Sequence, residues 1–180
     1  MAAPGSDAGA TRAARAAAIL VAVAVAGFGI VAFVHEATRD EIAAAARRQE
    51  IARFEEVLGD VRFDNDLLSD RIDVQDAELL GTSDPVRVHR ARLQGVPVAV
   101  VLQPVAPDGY SGEIRLMVAI APDGRVLGVR VTRHRETPGL GDAIETRRSD
   151  WIRHFTGRSL DDPPPDRWQV RKDGGDFDQF

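Results

Sequence analysis

The spacing of hydrophobic residues separates the chain into three parts, and the first is the plainest. Ala16 to Val34 is an unbroken run of apolar residues and glycines. As a helix, at about 1.5 Å per residue, the run spans roughly 28 Å, close to the about 30 Å of a bilayer's hydrocarbon core. The pattern predicts one transmembrane helix over residues 16–34.

A cleaved signal peptide is the alternative for this segment. Its apolar region is usually about 7–15 residues long and is followed by a small-residue cleavage site. Here the run is longer and is followed by His35 and Glu36, which favours a retained anchor in the lipid bilayer. Because Arg12 and Arg15 precede the run, the positive-inside tendency predicts a cytoplasmic N-terminus (residues 1–15) and a periplasmic domain at a bacterial inner membrane.

The second part, residues 35–84, is expected to be a helical stalk and a linker. Apolar residues recur at spacings near three, four and seven between 37 and 58, and Gly59 is a natural helix stop. The polar stretch Asp60–Asp84 is expected to be a solvated linker with a short helix. Its aspartates lack the glycine and the terminal glutamate of an EF-hand loop, so no calcium site is predicted.

The third part, residues 85–180, shows the alternation of β-strands. One strand is predicted from Val86, and a second over Val96–Val105, where prolines suggest that its ends lie at sheet edges. Glu113–Ile120 and Arg125–Arg133 are predicted to pair as an antiparallel hairpin, because Pro122-Asp123-Gly124 supplies a turn between them.

A loop, His134 to Gly141, follows the hairpin, since Pro138 and two glycines exclude an ordinary helix or a central strand. Two helical pieces are predicted next, Asp142–Arg147 and Asp150–Phe155, the second capped by Ser149 or Asp150. Trp168–Val170 is expected to be a last strand. The sum is an α+β domain, a mixed or antiparallel sheet with helices, behind one transmembrane helix.

Charge and composition exclude several functions. The net charge of −5 and pI near 5.4 give no electrostatic reason to bind nucleic acid. The absence of cysteine excludes disulfides, thiolate catalysis and cysteine-ligated clusters in this chain. The four histidines lack metal-ligand spacing and are expected at surfaces or interfaces, so no metal site is predicted.

An ordered series of short motifs carries a family resemblance. In chain order these are Gly109-Tyr110-Ser111-Gly112, His134-Arg135-Glu136-Thr137-Pro138-Gly139-Leu140-Gly141-Asp142, Ser149-Asp150-Trp151, Lys172-Asp173-Gly174-Gly175 and Phe177-Asp178-Gln179-Phe180. Together they resemble the RnfG family, a component of the Rnf (Rsx) ion-translocating electron-transport complex. The Thr-Pro-Gly-Leu-Gly element also resembles the FMN-carrying component of the sodium-pumping NADH:quinone reductase, which shares the flavin-binding domain.

The resemblance implies a membrane-anchored flavoprotein that relays electrons through FMN, with other subunits of the complex as partners and no catalytic residues of its own. It also implies that the FMN phosphate is esterified to a threonine in a Ser/Thr-Gly-Ala-Thr motif, directly after Phe180. The chain ends there, so the sequence is expected to be truncated before the motif. Thr156-Gly157-Arg158-Ser159 lacks the Ala-Thr and is interpreted as a helix stop at Gly157. A non-redox scaffold is the alternative function.

The candidate cofactor-binding residues are Tyr110, Thr137, Pro138, Gly139, Leu140, Gly141 and Lys172. The glycines are expected to bring backbone N–H groups to the flavin ring edge, and Thr137 to offer a hydroxyl. Leu140 is expected on the ring face or in the core, and Tyr110 at the flavin or on an adjacent strand. Lys172 is expected to neutralise the phosphate or to be solvated, and Glu136 and Asp142 to place the loop.

Overall fold

The computed structural model describes residues 6–178, with side chains from residue 11 onward. It contains two compact units, residues 1–49 and 50–180. The first unit holds most of the helix α1, Ser6–Leu58. Residues 16–34 of this helix are exposed throughout, and its apolar stretch is long enough to cross a membrane. The transmembrane helix and the stalk helix that the sequence predicts separately form one continuous helix, because neither glycine nor proline interrupts residues 35–58.

The second unit is built on a six-stranded antiparallel sheet. The strands are β1 (Arg71–Val74), β2 (Val86–Leu93), β3 (Val96–Leu102), β4 (Val105–Ala106), β5 (Ile114–Ile120) and β6 (Val126–Arg133), with a short helix α2 (Ala77–Leu80) after β1. The first three strands pair in chain order, β3 and β4 share one edge of β5, and β6 pairs with the other edge. The predicted hairpin and the α+β class are confirmed.

The core lies between one face of this sheet and the last turns of α1. Phe54, Val57 and Leu58 of the helix are almost fully buried, and they pack on small or apolar strand residues: Ala91, Ala99, Val101, Met117 and Ala119. A Cβ on Gly128 of β6 would lie 2.5 Å from the Val57 carbonyl oxygen. Glycine at that position therefore allows the helix end to approach the strand.

His89 corrects one sequence expectation, since it lies in the core rather than at the surface. Its ring is 4.6 Å from the Phe54 ring, and its Nδ1 is 2.7 Å from the Leu67 carbonyl oxygen. A buried imidazole is tolerated there because its polar atom finds a backbone partner.

The segment expected to be a solvated linker also contributes to the sheet. It contains the predicted short helix, α2, but also strand β1 and the buried Leu67. Asp70 pairs with Arg90 and Arg92, and the hydrogen bond from Arg92 is the main cause that lowers the pKa of Asp70. No group of metal-ligating side chains occurs among the described residues.

Three local predictions differ from the structure. The helical pieces after the loop are 3₁₀ turns, Gly141–Ile144 and Trp151–Phe155, and Ser149 rather than Asp150 caps the second through its Oγ. Trp168–Val170 is not a strand, because Val170 makes only an isolated bridge with Phe177. Finally, β3 is a central strand, and Pro97 at its start is accommodated beside a bulge in β2.

Candidate functional site

Two loops of the second unit, residues 109–112 and 134–141, border a cavity of about 430 Å³. Its volume lies within the range of roughly 300–1,000 Å³ that is typical of small-molecule sites. The lining residues are Tyr110, Ile114, Glu136, Thr137, Leu140, Gly141 and Ile144. Of the predicted cofactor-binding residues, Pro138 and Gly139 belong to the same loop without lining the cavity, and Lys172 lies in an exposed turn near the C-terminal end.

Backbone hydrogen bonds within the loop hold its shape. The N–H groups of Leu140 and Gly141 both donate to the Thr137 carbonyl at 3.1 Å. Gly139 has a φ of +79°, which favours glycine, and its N–H donates to Asp142 Oδ1 at 2.8 Å. The expectation that the glycine N–H groups are open to a ligand is therefore wrong in this conformation, because both already have partners.

Two side chains that line the cavity are more exposed to solvent than a position in the core or against a neighbouring strand would allow. Leu140 is 72% exposed and Tyr110 is 97% exposed. Leu140 is therefore not a core residue, and Tyr110 does not pack on a neighbouring strand. Two large side chains left in solvent beside a cavity provide apolar surface that a flat ligand can cover.

A histidine fixes the start of the loop. The Glu136 N–H donates to His134 Nδ1 at 3.1 Å, so Nδ1 carries no proton and Nε2 donates to Glu145 Oε1 at 2.8 Å. The guanidinium of Arg147, and then His134, lower the pKa of Glu145 to about 2. The imidazole at the start of the loop is therefore oriented by the ionised carboxylate of Glu145.

Glu136 joins the two loops that form the cavity. Its side chain is only 8% exposed, and its Oε1 accepts a hydrogen bond from the Ser111 N–H at 3.1 Å. A Cβ on Gly109 would come within 2.9 Å of Oε1, and a Cβ on Gly141 would come within 2.9 Å of Oε2. Both glycines thus make room for this carboxylate, a relation between distant positions that the sequence did not disclose.

A second cavity adjoins the first and has a purely apolar wall. It measures about 270 Å³ and shares Ile114 and Ile144 with the first. The remaining lining residues come mainly from β5, β6 and the second 3₁₀ turn: Ala106, Leu116, Val118, Val126, Val129, Val131, Trp151, Ile152, Phe155 and Trp168.

An aromatic cluster beside this cavity anchors the C-terminal segment. Phe155 stacks on Phe177 with ring centroids 4.7 Å apart, and Trp168 lies 5.1 Å from Phe177. The Trp151 Nε1–H donates to the Asp178 carbonyl at 2.8 Å. Sequence reasoning missed this cluster, although the concentration of tryptophan and phenylalanine after residue 150, in a chain with only 6% aromatic residues, was a usable signal.

The first cavity has the chemistry that FMN needs. A flavin presents a flat, largely apolar ring and a few hydrogen-bonding groups. Leu140 and Tyr110 offer exposed apolar faces, and Glu136 offers a carboxylate. Thr137, which carries a hydroxyl, lines the same space. These residues fit the cofactor that the motif series implies.

Comparisons with known proteins agree with this site. The RnfG N-terminal region matches residues 7–57, and the FMN-binding domain matches residues 109–180, which include both loops. The chain is similar to a protein of Shewanella amazonensis named as a component of the ion-translocating oxidoreductase complex, with 47% identity over 83% of this chain and 70% of the relative. The Pseudomonas aeruginosa protein of that name shares 46% identity over 92% and 78%, respectively.

The Vibrio atlanticus protein of the same name is 44% identical over 90% of this chain and 77% of the relative. Relatives this similar over this much of their length establish the family, and they favour the Rnf-type complex over the sodium-pumping reductase. The chain belongs to the RnfG family of ion-translocating oxidoreductase complexes, membrane flavoproteins whose cofactor is FMN.

Proposed function

We propose that this chain relays electrons between partner subunits through an FMN held in the cavity between residues 109–112 and 134–141. The observation that carries the proposal is the meeting of these two loops, both within the matched FMN-binding domain, around one open cavity. When bound, FMN supplies the reversible uptake and release of electrons. The chain supplies position and shielding from water, and no nucleophile or acid–base pair is required.

Individual residues have distinct roles in this proposal. Leu140 and Tyr110 cover the ring, since both present large exposed faces to the cavity. Thr137 offers a hydroxyl as donor or acceptor. Pro138 and Gly139 set the turn, and Asp142 keeps Gly139 in place. Lys172 has no role at the ring, because it does not line the cavity; it remains a candidate for the phosphate.

The FMN is attached covalently through its phosphate to a threonine beyond Phe180. The support is the position of the C-terminal segment. The Asp178 carbonyl accepts a hydrogen bond from Trp151. Trp151 lines the apolar cavity that adjoins the FMN cavity. This hydrogen bond keeps Asp178 beside the apolar cavity. Tethering would keep the local concentration of the cofactor high outside the cytoplasm, where free FMN cannot replace a lost one.

In-gel fluorescence of the full-length gene product tests the function. We expect a flavin-fluorescent band after denaturing electrophoresis when cells contain a flavin transferase. Substitution of the proposed threonine by valine should abolish the fluorescence, and cells without transferase provide the matched control. A dark wild-type band, with no added mass of a flavin nucleotide, would contradict the proposal and favour the scaffold alternative.

The proposed topology places the N-terminus in the cytoplasm and the domain in the periplasm, on the support of Arg12 and Arg15 before the apolar run. The absence of cysteine makes a clean test available. Ser83→Cys should react with a membrane-impermeant maleimide in cells with a permeabilised outer membrane. Ser6→Cys should react only after the inner membrane is lysed, and the reverse order would overturn the topology.

A further inference from the structure

Glu136 differs from the other buried carboxylate of the site. Asp142 is 6% exposed and pairs with Arg148, whose Nε lies 3.0 Å from Oδ2. Glu136 is 8% exposed, but no arginine, lysine or histidine among the described residues forms an ion pair with it. A buried carboxylate without a cation is unusual, because burial of a charge is costly unless it is compensated.

The two carboxylate oxygens of Glu136 have different surroundings. Oε1 accepts the Ser111 N–H, whereas no described residue donates to Oε2. No fully buried side-chain nitrogen or oxygen among the described residues lacks a partner, so Oε2 is accessible rather than sealed inside the protein. Since Glu136 lines the cavity, this oxygen is reached from the side where the ligand binds.

We propose that Glu136 Oε2 is the hydrogen-bond acceptor for a donor group of the bound FMN, while Oε1 holds the Ser111 turn. This assignment rests on the proposed function. The donors that a flavin offers are its ring imide N–H and the hydroxyls of its ribityl chain, and one carboxylate oxygen satisfies either. The neighbouring N–H groups of Gly139 and Gly141 are already committed, so the polar recognition here comes from an acceptor rather than from backbone donors.

This contact has an electrostatic consequence. A carboxylate beside the flavin disfavours the addition of electrons, because like charges repel strongly where water is excluded. Glu136 therefore lowers the reduction potential of the bound cofactor as well as orienting it. Glu136→Gln keeps the size and the oxygen that receives Ser111, but it replaces the acceptor at Oε2 with a donor and removes the charge.

The test compares two carboxyl-to-amide substitutions in the full-length, flavin-loaded protein. Glu136→Gln should favour the reduced flavin about tenfold, a rise in the midpoint potential of about 30 mV for a two-electron couple. Glu113→Gln is the matched control, since Glu113 is exposed and does not line the cavity. The control should leave the ratio of reduced to oxidised flavin, at a fixed applied potential, within twofold of the wild-type ratio.

Amide hydrogen exchange at Ser111 in the flavin-free protein distinguishes the structural role of Glu136, holding the Ser111 turn, from the effect of its charge on the flavin. Glu136→Gln should keep the protection of this amide, and Glu136→Ala should lose it. An unchanged potential in Glu136→Gln, or an equal shift in Glu113→Gln, would overturn the assignment while leaving the FMN relay intact. A wild-type protein without flavin would instead overturn the proposed function and the assignment together.

Discussion

The two faces of strand β5 are used in opposite ways. Met117 and Ala119 point to the core, where the end of α1 fills the space above them. Leu116 and Val118 alternate with them and line the apolar cavity of about 270 Å³ on the other face. One face is packed to give stability, whereas the other leaves an unfilled space lined by partly buried apolar side chains beside two loops. The contrast teaches that the site is built where the sheet is left incompletely covered.

The largest effect is expected at the packed face. Phe54→Ala removes a fully buried ring that contacts His89, and such substitutions cost about 3–5 kcal/mol. Urea unfolding of the detergent-solubilised protein measures the loss. Leu140→Ala, at a residue 72% exposed, should change the free energy of unfolding by less than about 0.5 kcal/mol. Equal losses in the two variants would remove the distinction between the faces.

Gly141→Ala should show that the open side nevertheless contains one closely packed point. The three atoms nearest to the new Cβ, at 2.9, 2.9 and 3.4 Å, all belong to the Glu136 side chain. Overpacking of this kind costs about 1–3 kcal/mol. In a Glu136→Gly background, which removes all three atoms, the penalty should largely disappear in a double-mutant cycle. The same penalty in both backgrounds would show that the two residues do not contact each other.

Glu145→Gln should weaken the start of the loop by about 1 kcal/mol at pH 7, because it removes the negative charge that strengthens the hydrogen bond from His134. The pKa of Glu145 is lowered from 4.5 to about 2, so the stabilisation is complete above pH 4.5 and is lost as the pH falls through 2. The difference between variant and wild type should shrink over that range. Thermal unfolding as a function of pH measures it.

The exposed pair of Glu113 and Arg115 supplies the control for this prediction. Glu113→Gln should change stability by less than about 0.5 kcal/mol. A Glu145→Gln deficit that stays constant from pH 7 to strongly acidic conditions would contradict the electrostatic origin.

The smallest effect is expected from filling the open face. Val118→Ile adds one carbon to the wall of the apolar cavity, which should stabilise the domain by up to about 0.8 kcal/mol. Val101→Ile, at a fully buried core position, should instead destabilise it through overpacking. Urea unfolding distinguishes them, and a loss of stability in Val118→Ile would mean that this face is already filled.

The sequence was sufficient where regular periodicity determines structure. The apolar run, the helix stop at Gly59 and the β5–β6 hairpin follow from local patterns and turn residues. Strand β1 was missed because Arg71–Val74 is only four residues long and exposed, and it forms by pairing with β2. Residues 71–74 alternate between polar and apolar side chains, but an alternation this short does not show which strand it pairs with.

The candidate site was predictable in part. The residues predicted to bind the cofactor at 110 and 137–141 lie in two loops, and the structure brings Tyr110, Thr137, Leu140 and Gly141 around one cavity. The position of Glu136 was not predictable, since it depends on Gly109, whose loop lies on the far side of β5 and β6 in sequence. The same holds for the N–H groups of the glycines, because partners within a loop are decided by its three-dimensional conformation.

The most direct test of the FMN cavity is the chemical accessibility of its most exposed apolar residue. In the cysteine-free chain, Leu140→Cys introduces a single thiol, and Ser83→Cys provides a control away from the cavity. Flavin-loaded Leu140→Cys should react with a maleimide at least about tenfold more slowly than the flavin-free protein, because a bound ligand buries most of its contact surface. Equal rates in the two forms, with Ser83→Cys also unchanged, would contradict the placement of FMN between these loops.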